Sequence, residues 1–199
     1  MSQERGVASD GVLVVPFDDF AELVRSRRTS MLVDREREVP AELVTSLCSL
    51  GRWAPNHKRT WPWRFAECTG DGRFRLGEAY VADMLATGFG DEGKREKTRT
   101  KYARTPTVIV VGCAPSPTPQ LANDDRDSVA AAVQTILLGA TAMGLASFWS
   151  TAPVTVSPSV NALCDFPDDT RVVGMIYLGW PTGSVETPPR PAVKVSRVC

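Results

Sequence analysis

The stretch DSVAAAVQTILLGATAMG, from Asp127 to Gly144, limits the possible folds more than any other in the chain. It contains good helix formers and no proline, and its apolar side chains fall on nearly every face. It therefore reads as a helix enclosed by other elements. Its many Ala and Gly residues carry little bulk, so those neighbours come close. A chain of 199 residues can build a core large enough to surround such a helix, most simply as one domain.

The material to enclose it lies on both sides. TVIVVGCA, Thr107 to Ala114, is a continuous β-branched run, as expected of a strand covered on both faces. WRFAECTG alternates like a strand and is stopped by GDG, LASFWSTAP reads as a strand ending at Pro153, and RVVGMIYLGWP is a last long apolar strand. Helical spacing appears between them. Phe17, Phe20, Leu23 and Val24 mark an amphipathic helix over Phe17 to Arg27, and Leu43, Val44, Leu47 and Leu50 mark a second, with Pro40 at its first position. RFRLGEAYVADML carries a third, and SPSVNALCDF opens another with Ser157 as cap and Pro158 in its first turn. PSPTPQLANDD reads as a proline-rich loop ending in acidic caps. The charged run Asp91 to Arg104 reads as a solvated surface helix or a mobile flap, and TGSVETPPRPAVKVSRVC as an extended tail. These elements give an α+β or α/β three-layer domain over residues 16–199, preceded by a flexible N-terminus at 1–15.

Composition removes several function classes. With 23 basic and 23 acidic side chains the chain has no net charge, and nothing global points to nucleic acid or a membrane. The N-terminal apolar run is far shorter than the about 20 residues of a spanning helix, so a cytoplasmic location is expected. Five scattered cysteines, with no Cys-x-x-Cys pair, read as reduced core residues rather than metal ligands. GDGRFRLG fails the dinucleotide glycine pattern, and GATAMGLA lacks the Lys-Ser/Thr ending of a phosphate loop. There is no G-x-S-x-G elbow, and any Ser-His or Cys-His pair would have to use the single histidine, His57.

What remains is a constellation. RSRRTS, Arg25 to Ser30, gathers arginine forks and hydroxyls that suit phosphate oxygens, although arginines at a helix C-terminus also complement its dipole. APNHKRTWPWRF, Ala54 to Phe65, places the histidine, basic residues and two tryptophans in a proline-bounded loop where a plain connector would be smaller and more polar. Trp149, Ser150 and Thr151 form a corner at a strand end, and basic residues recur late in the chain.

In that order, a first helix ending in Arg-Arg-Thr, then APNH, PWRF, MGLASFW and GMIYLGWP, the sequence resembles the nitroreductase family of flavin enzymes. The resemblance covers roughly Phe17 to Pro191 and is nearest to the compact branch whose loop reads Ala-Pro-Asp/Asn-His. It implies a homodimeric three-layer α/β/α fold, with a mixed, mainly antiparallel sheet flanked by helices and a domain-swapped C-terminal arm. It implies FMN at the subunit interface, NADH or NADPH as donor, and a small-molecule electron acceptor. By the same resemblance Arg27, Arg28 and Thr29 hold the FMN phosphate and ribityl chain, with Arg190 close to the phosphate. Pro55, Asn56 and His57 reach the flavin of the partner subunit, and the loop's aromatics shield it. Trp149, Ser150 and Thr151 pass the isoalloxazine, where a backbone amide bonds N5. The flavin itself carries the hydride, so no side chain is catalytic.

The implied activity is a two-step transfer from NAD(P)H to FMN and then to a nitroaromatic, quinone or related acceptor. Other redox chemistry on the same fold, or flavin binding without turnover, are the alternatives. Two departures from the family pattern stand out: Trp61 where many relatives have glutamine before Pro-Trp, and PPRPAVKV in place of a late Arg/Lys pair.

Overall fold

The computed structural model describes residues 14–199, so the flexible N-terminus expected at 1–15 lies, except for the exposed Val14 and Val15, outside the described residues. The elements are α1 (Phe17–Ser26), α2 (Ala41–Gly51), β1 (Trp63–Thr69), α3 (Gly72–Ala86), α4 (Glu92–Thr100), β2 (Thr107–Cys113), α5 (Ala122–Ala142), β3 (Ala146–Thr151), α6 (Pro158–Leu163) and β4 (Arg171–Gly179). Short 3-10 turns at His57–Arg59, Lys101–Arg104 and Pro119–Leu121 connect them. Among the described residues no helix is long and apolar enough to cross a membrane.

The strands pair in the order β1-β2-β4-β3, every pair antiparallel. A single parallel bridge from Thr29 to Ser147 adds to the outer edge of β3. Because side chains alternate along a strand, the two faces of the sheet feed two cores. Ile109, Val111, Ile176 and Leu178 pack with Val44 and Leu47 of α2 and with Val133 and Ile136 of α5. Val108, Val110, Met175 and Tyr177 pack with Leu76 and Tyr80 of α3, Tyr102, and Val160 of α6. The result is the expected three-layer α/β/α arrangement, with β2 buried along its whole length.

The charged run Asp91 to Arg104 forms α4 and the turn after it. Asp91 caps α4 by accepting from the Lys94 amide at 2.7 Å, and fully buried Tyr102 anchors the end of the run. At Gly77 the α4 backbone comes so close that a Cβ would stand 2.1 Å from the Arg99 carbonyl oxygen, so only glycine fits there.

Several elements differ from expectation. α5 begins at Ala122, so Asp124 and Asp125 belong to its first turn, where acids favour the helix dipole, and not to a preceding loop. Its sheet side is buried, but its opposite side, with Ala131, Gln134, Leu138 and Ala142, is half-buried to exposed, so the described residues of one copy enclose it only in part. α1 buries only Ala21 and leaves Phe17, Phe20 and Val24 exposed at 75%, 49% and 39%. Pro40 stands at the cap of α2, one residue ahead of the first helical position. Ser157 holds the cap position of α6, but its hydroxyl donates to the Val154 carbonyl. The buried carboxylate of Asp83 on α3 accepts the Ser159 amide instead, at 3.2 Å.

Candidate functional site

The end of α1 and the C-terminal tail together form a cationic cleft. Arg27, Arg28 and Thr29 line one side, and Val185, Glu186, Pro188, Pro189 and Arg190 the other, around roughly 520 Å³. Arg28 is fixed by donating Nη1 to the Arg27 carbonyl at 2.6 Å, and Nε and Nη2 to Thr187 Oγ1 at 2.9 and 2.6 Å. Burial, then the charges of Arg28 and Arg190, lower the pKa of Arg27. Among the described residues none of these three guanidiniums forms an ion pair, and Glu186 lies beyond ion-pair distance. Converging cations without a counter-ion suit a phosphate dianion, which can relieve their repulsion and take charge-assisted hydrogen bonds.

Thr29 ties this cleft to the edge of the sheet. The Ser30 amide donates to the Ser147 carbonyl at 3.0 Å, which shows that Ser147 turns its backbone polar groups away from β4. Backbone groups alternate sides along a strand, so the amides of Trp149 and Thr151 point to the same open edge, while those of Ser150 face β4. The edge therefore offers donors roughly 7 to 14 Å beyond Ser147. The Trp149 indole turns onto the α5 face of the sheet, where its buried Nε1 has no partner among the described residues. It fits only because residue 174 is glycine, at which a Cβ would stand 2.6 Å from Nε1 and 2.4 Å from the Ser150 carbonyl oxygen. Thr151 borders a cavity of about 200 Å³, together with Cys113, Ser116, Ala122, Arg126 and Arg171.

The His57 loop is held in a different way. Lys58, Arg59 and Trp61 all take positive φ, 61°, 54° and 51°, a conformation that costs non-glycine residues about 1 kcal/mol or more each and persists only where the surroundings enforce it. The enforcement is visible. Asn56 accepts the Trp61 amide at 2.9 Å and donates to Thr60 Oγ1 at 3.0 Å and Ser128 Oγ at 3.2 Å. His57 Nδ1 lies 2.8 Å from Asp124 Oδ2, with both side chains about half exposed. Asp125, only 1% exposed, accepts hydrogen bonds from Thr60 on one oxygen and Ser116 on the other. The Asn56 side-chain amide is thus engaged by Thr60, Trp61 and Ser128. One expectation changes: Trp63 is a core residue whose indole donates to the Ser128 carbonyl, whereas Trp61 is largely exposed.

The expected site residues thus fall into separate groups. Arg27, Arg28, Thr29 and Arg190 share one cleft, and β3 leads from it to Trp149, Ser150 and Thr151. Pro55, Asn56 and His57 do not join them. Asn56 and His57 rest against Ser128 and Asp124 at the start of α5, whereas Arg28 lies near Thr141 and Gly144 at its far end, roughly 25 Å along the helix. Asp124 and Ser128 also point away from Ala122 and Arg126, which face the Thr151 cavity, because residues two apart lie on opposite sides of a helix. Asp125, Thr60, Ser116 and Thr187 are supporting residues that the sequence reading did not single out. The one local signal was a run of acids at the start of an apolar helix.

With this geometry in place, comparison with known proteins is informative. The family model of the Nitroreductase family matches residues 24–180. Escherichia coli (strain K12) YdjA, by name a candidate NAD(P)H nitroreductase, is 28% identical over 164 residues, covering 82% of this chain and 88% of YdjA. A nitroreductase-like protein from Bacillus cereus superposes with a TM-score of 0.74 at 23% identity, covering 90% of this chain and 94% of its own. A nitroreductase with bound FMN from Bacteroides fragilis does so with 0.69 at 23% identity, covering 89% and 97%.

Proposed function

Because this chain belongs to the nitroreductase family, we propose that it is an FMN-dependent oxidoreductase that takes electrons from NAD(P)H and delivers them to a small organic acceptor such as a nitroaromatic or quinone. The observation that carries this reading is the cleft of Arg27, Arg28 and Arg190, cationic and without a counter-ion, opening beside the free edge of β3. When bound, FMN supplies a ring nitrogen that takes up hydride and a two-electron store that a second substrate can discharge. The chain supplies the rest. Arg27 and Arg190 bind the phosphate, the Thr29 hydroxyl lies beside it, and the outward amides of Trp149 or Thr151 donate to the ring edge. No side chain needs to act as nucleophile, so donor and acceptor use one site in turn.

The His57 loop completes that site from a second copy of the chain. Three features support this. The loop lies at the opposite end of α5 from the arginine cleft, the outer face of α5 is incompletely covered, and α1 exposes Phe17, Phe20 and Val24. The tail, with Val193, Val195 and Val198 exposed at alternating or near-alternating positions, acts as an arm laid across the partner. Residues 16–199 then form one domain, in a homodimer burying more than about 2,000 Å².

The test is the absorption spectrum of the purified protein before and after addition of NADPH, with the released cofactor identified. The reading predicts a bound FMN spectrum that bleaches on NADPH addition and recovers with a nitroaromatic or quinone. Protein that binds no flavin, or binds it without bleaching by either NADH or NADPH, would overturn it.

A further inference from the structure

The cavity beside Thr151 lies at the opposite end of β3 from the arginine cleft, and it has a pair of cations of its own. Two elements far apart in sequence deliver them. Arg126 stands one turn of α5 beyond Ala122, which also borders the cavity. Arg171 opens β4, where it pairs with Cys113 of β2 and bridges to Val156. The segment leaving Thr151 thus folds back along the start of β4, and the Val172 amide donates to the Thr155 carbonyl at 2.9 Å to hold it there. The sheet is reshaped at this point. A bulge breaks the β2-β4 register, so that Val111 faces Gly174, Gly112 faces Val172, and Val173 is left over. Val172 and Val173 both line the cavity, although neighbours on a regular strand point to opposite faces.

The walls are apolar and the charges beside them are unbalanced. Ala114, Pro115, Ala122 and Ala152 line the cavity with the two valines, while both arginines are exposed. Among the described residues Arg171 forms no ion pair, and Arg126 has only an exposed contact with its neighbour Asp127 at 3.4 Å. Asp169, the acidic lining residue, lies beyond ion-pair distance of both. Asp125, buried close by, already accepts from Thr60 and Ser116. Cys113 in the wall registers the same balance: burial and Asp125 raise its thiol to about 11, against the pull of Arg171, Arg64 and Arg126.

We propose that this cavity binds a small organic carboxylate, its apolar body against Ala122, Ala152, Val172 and Val173 and its carboxylate between Arg126 and Arg171. Guanidinium forks match a planar anion with two oxygens, and two of them converging from different elements fix its direction. Volume limits the body. About 200 Å³ is smaller than the roughly 300 Å³ at which pockets for drug-sized ligands begin, so a single ring or a short branched chain fits and a nucleotide does not. A bare inorganic anion would gain nothing from the apolar walls. The site is built within one chain, from residues outside the arginine cleft and the His57 loop, so it stands independently of flavin binding.

The test is calorimetric titration of the full chain with benzoate, for which a Kd of about 1 mM or tighter is expected of a ligand this small. Arg171→Gln and Arg126→Gln should each weaken binding by roughly fivefold to tenfold. Ala122→Phe, which fills the cavity, should abolish it, and Arg27→Gln, in the other cationic cleft, should leave it unchanged. Benzyl alcohol, with the ring but no charge, should bind roughly tenfold more weakly than benzoate or worse. Inorganic phosphate at equal concentration should not displace benzoate. The proposal is overturned by the absence of saturable binding at roughly ten times that Kd, by binding lost in Arg27→Gln but kept in Arg171→Gln, or by phosphate competing as an equal. The arginine side chains are exposed, so these variants decide the matter even if Ala122→Phe fails to fold.

Discussion

The arginine cleft and the His57 loop are the two halves of the candidate site, and they are built on opposite principles. In the loop every polar group that shapes it has a partner in the same chain: Asn56 with Thr60, Trp61 and Ser128, and Asp125 with Thr60 and Ser116. In the cleft, Arg27, Arg28 and Arg190 repel one another and, among the described residues, no carboxylate answers them. The loop is therefore complete without a ligand and can present a fixed surface to a neighbour. On the function proposed above, the cleft is completed by an anion from outside. Damage to the loop should register mainly in folding, and damage to the cleft mainly in binding.

The largest effect should come from the loop's buried anchor. Asp125→Ala leaves the half-buried Thr60 and Ser116 hydroxyls without their acceptor, and should lower stability by about 2 to 4 kcal/mol, read by urea denaturation. If it instead leaves the denaturation midpoint unchanged, the loop is not held as described. Next comes the cleft. Arg27→Ala should weaken FMN binding by roughly ten- to a hundredfold, through one lost charge-assisted contact worth about 1.5 to 3 kcal/mol, while the melting temperature of the apoprotein stays the same or rises slightly as repulsion is relieved. A large drop in apoprotein stability with unchanged FMN affinity would reverse the comparison.

An alkaline melt separates both halves from the core. Cys48 and Cys113, neutral in the fold, have pKa values raised to about 12 and about 11 from an ordinary 9.0, so the folded state holds protons that the unfolded chain releases. Their contribution is fully present below pH 9 and fades as pH rises through about 11 to 12, so stability should fall across that window. Replacing both with alanine should flatten the slope, and a slope unaltered by the double replacement would remove these thiols from the account. The smallest effect should be that of His57→Ala. Its pair with Asp124 is exposed and worth about 1 kcal/mol or less. Stopped-flow reduction by NADPH at saturating FMN should persist in this variant, whereas its complete loss would make His57 catalytic.

Reading the sequence found the periodic elements well, because strand alternation and helical spacing are local: β2, β4 and α3 emerge close to where TVIVVGCA, RVVGMIYLGWP and RFRLGEAYVADML place them. It also found the arginines that share the cleft, since they are clustered in sequence apart from Arg190. It did not reveal what depends on residues far away in the chain. Asp125 looked like a cap until Thr60 and Ser116 came to it, and Ser157 looked like a cap until Asp83 took that place. Trp63 looked like a cofactor shield until the Ser128 carbonyl claimed its indole. The apolar stripe of α1 was legible as a stripe, but what covers it was not, because the described residues of one chain do not supply the cover.

The central claim is that each FMN site takes its cleft from one copy of the chain and its loop from the other. Mixed dimers test it most directly. Chains carrying Arg27→Glu and chains carrying His57→Glu, with different affinity tags, are co-expressed, the heterodimer is isolated through both tags, and FMN is titrated. If the site is shared, one site of the heterodimer carries both lesions and the other carries none, so it should bind one FMN per dimer at the wild-type Kd. Two weakened sites per heterodimer, each with the affinity of one single variant, or a stable monomer that holds FMN as tightly as the wild type, would contradict it.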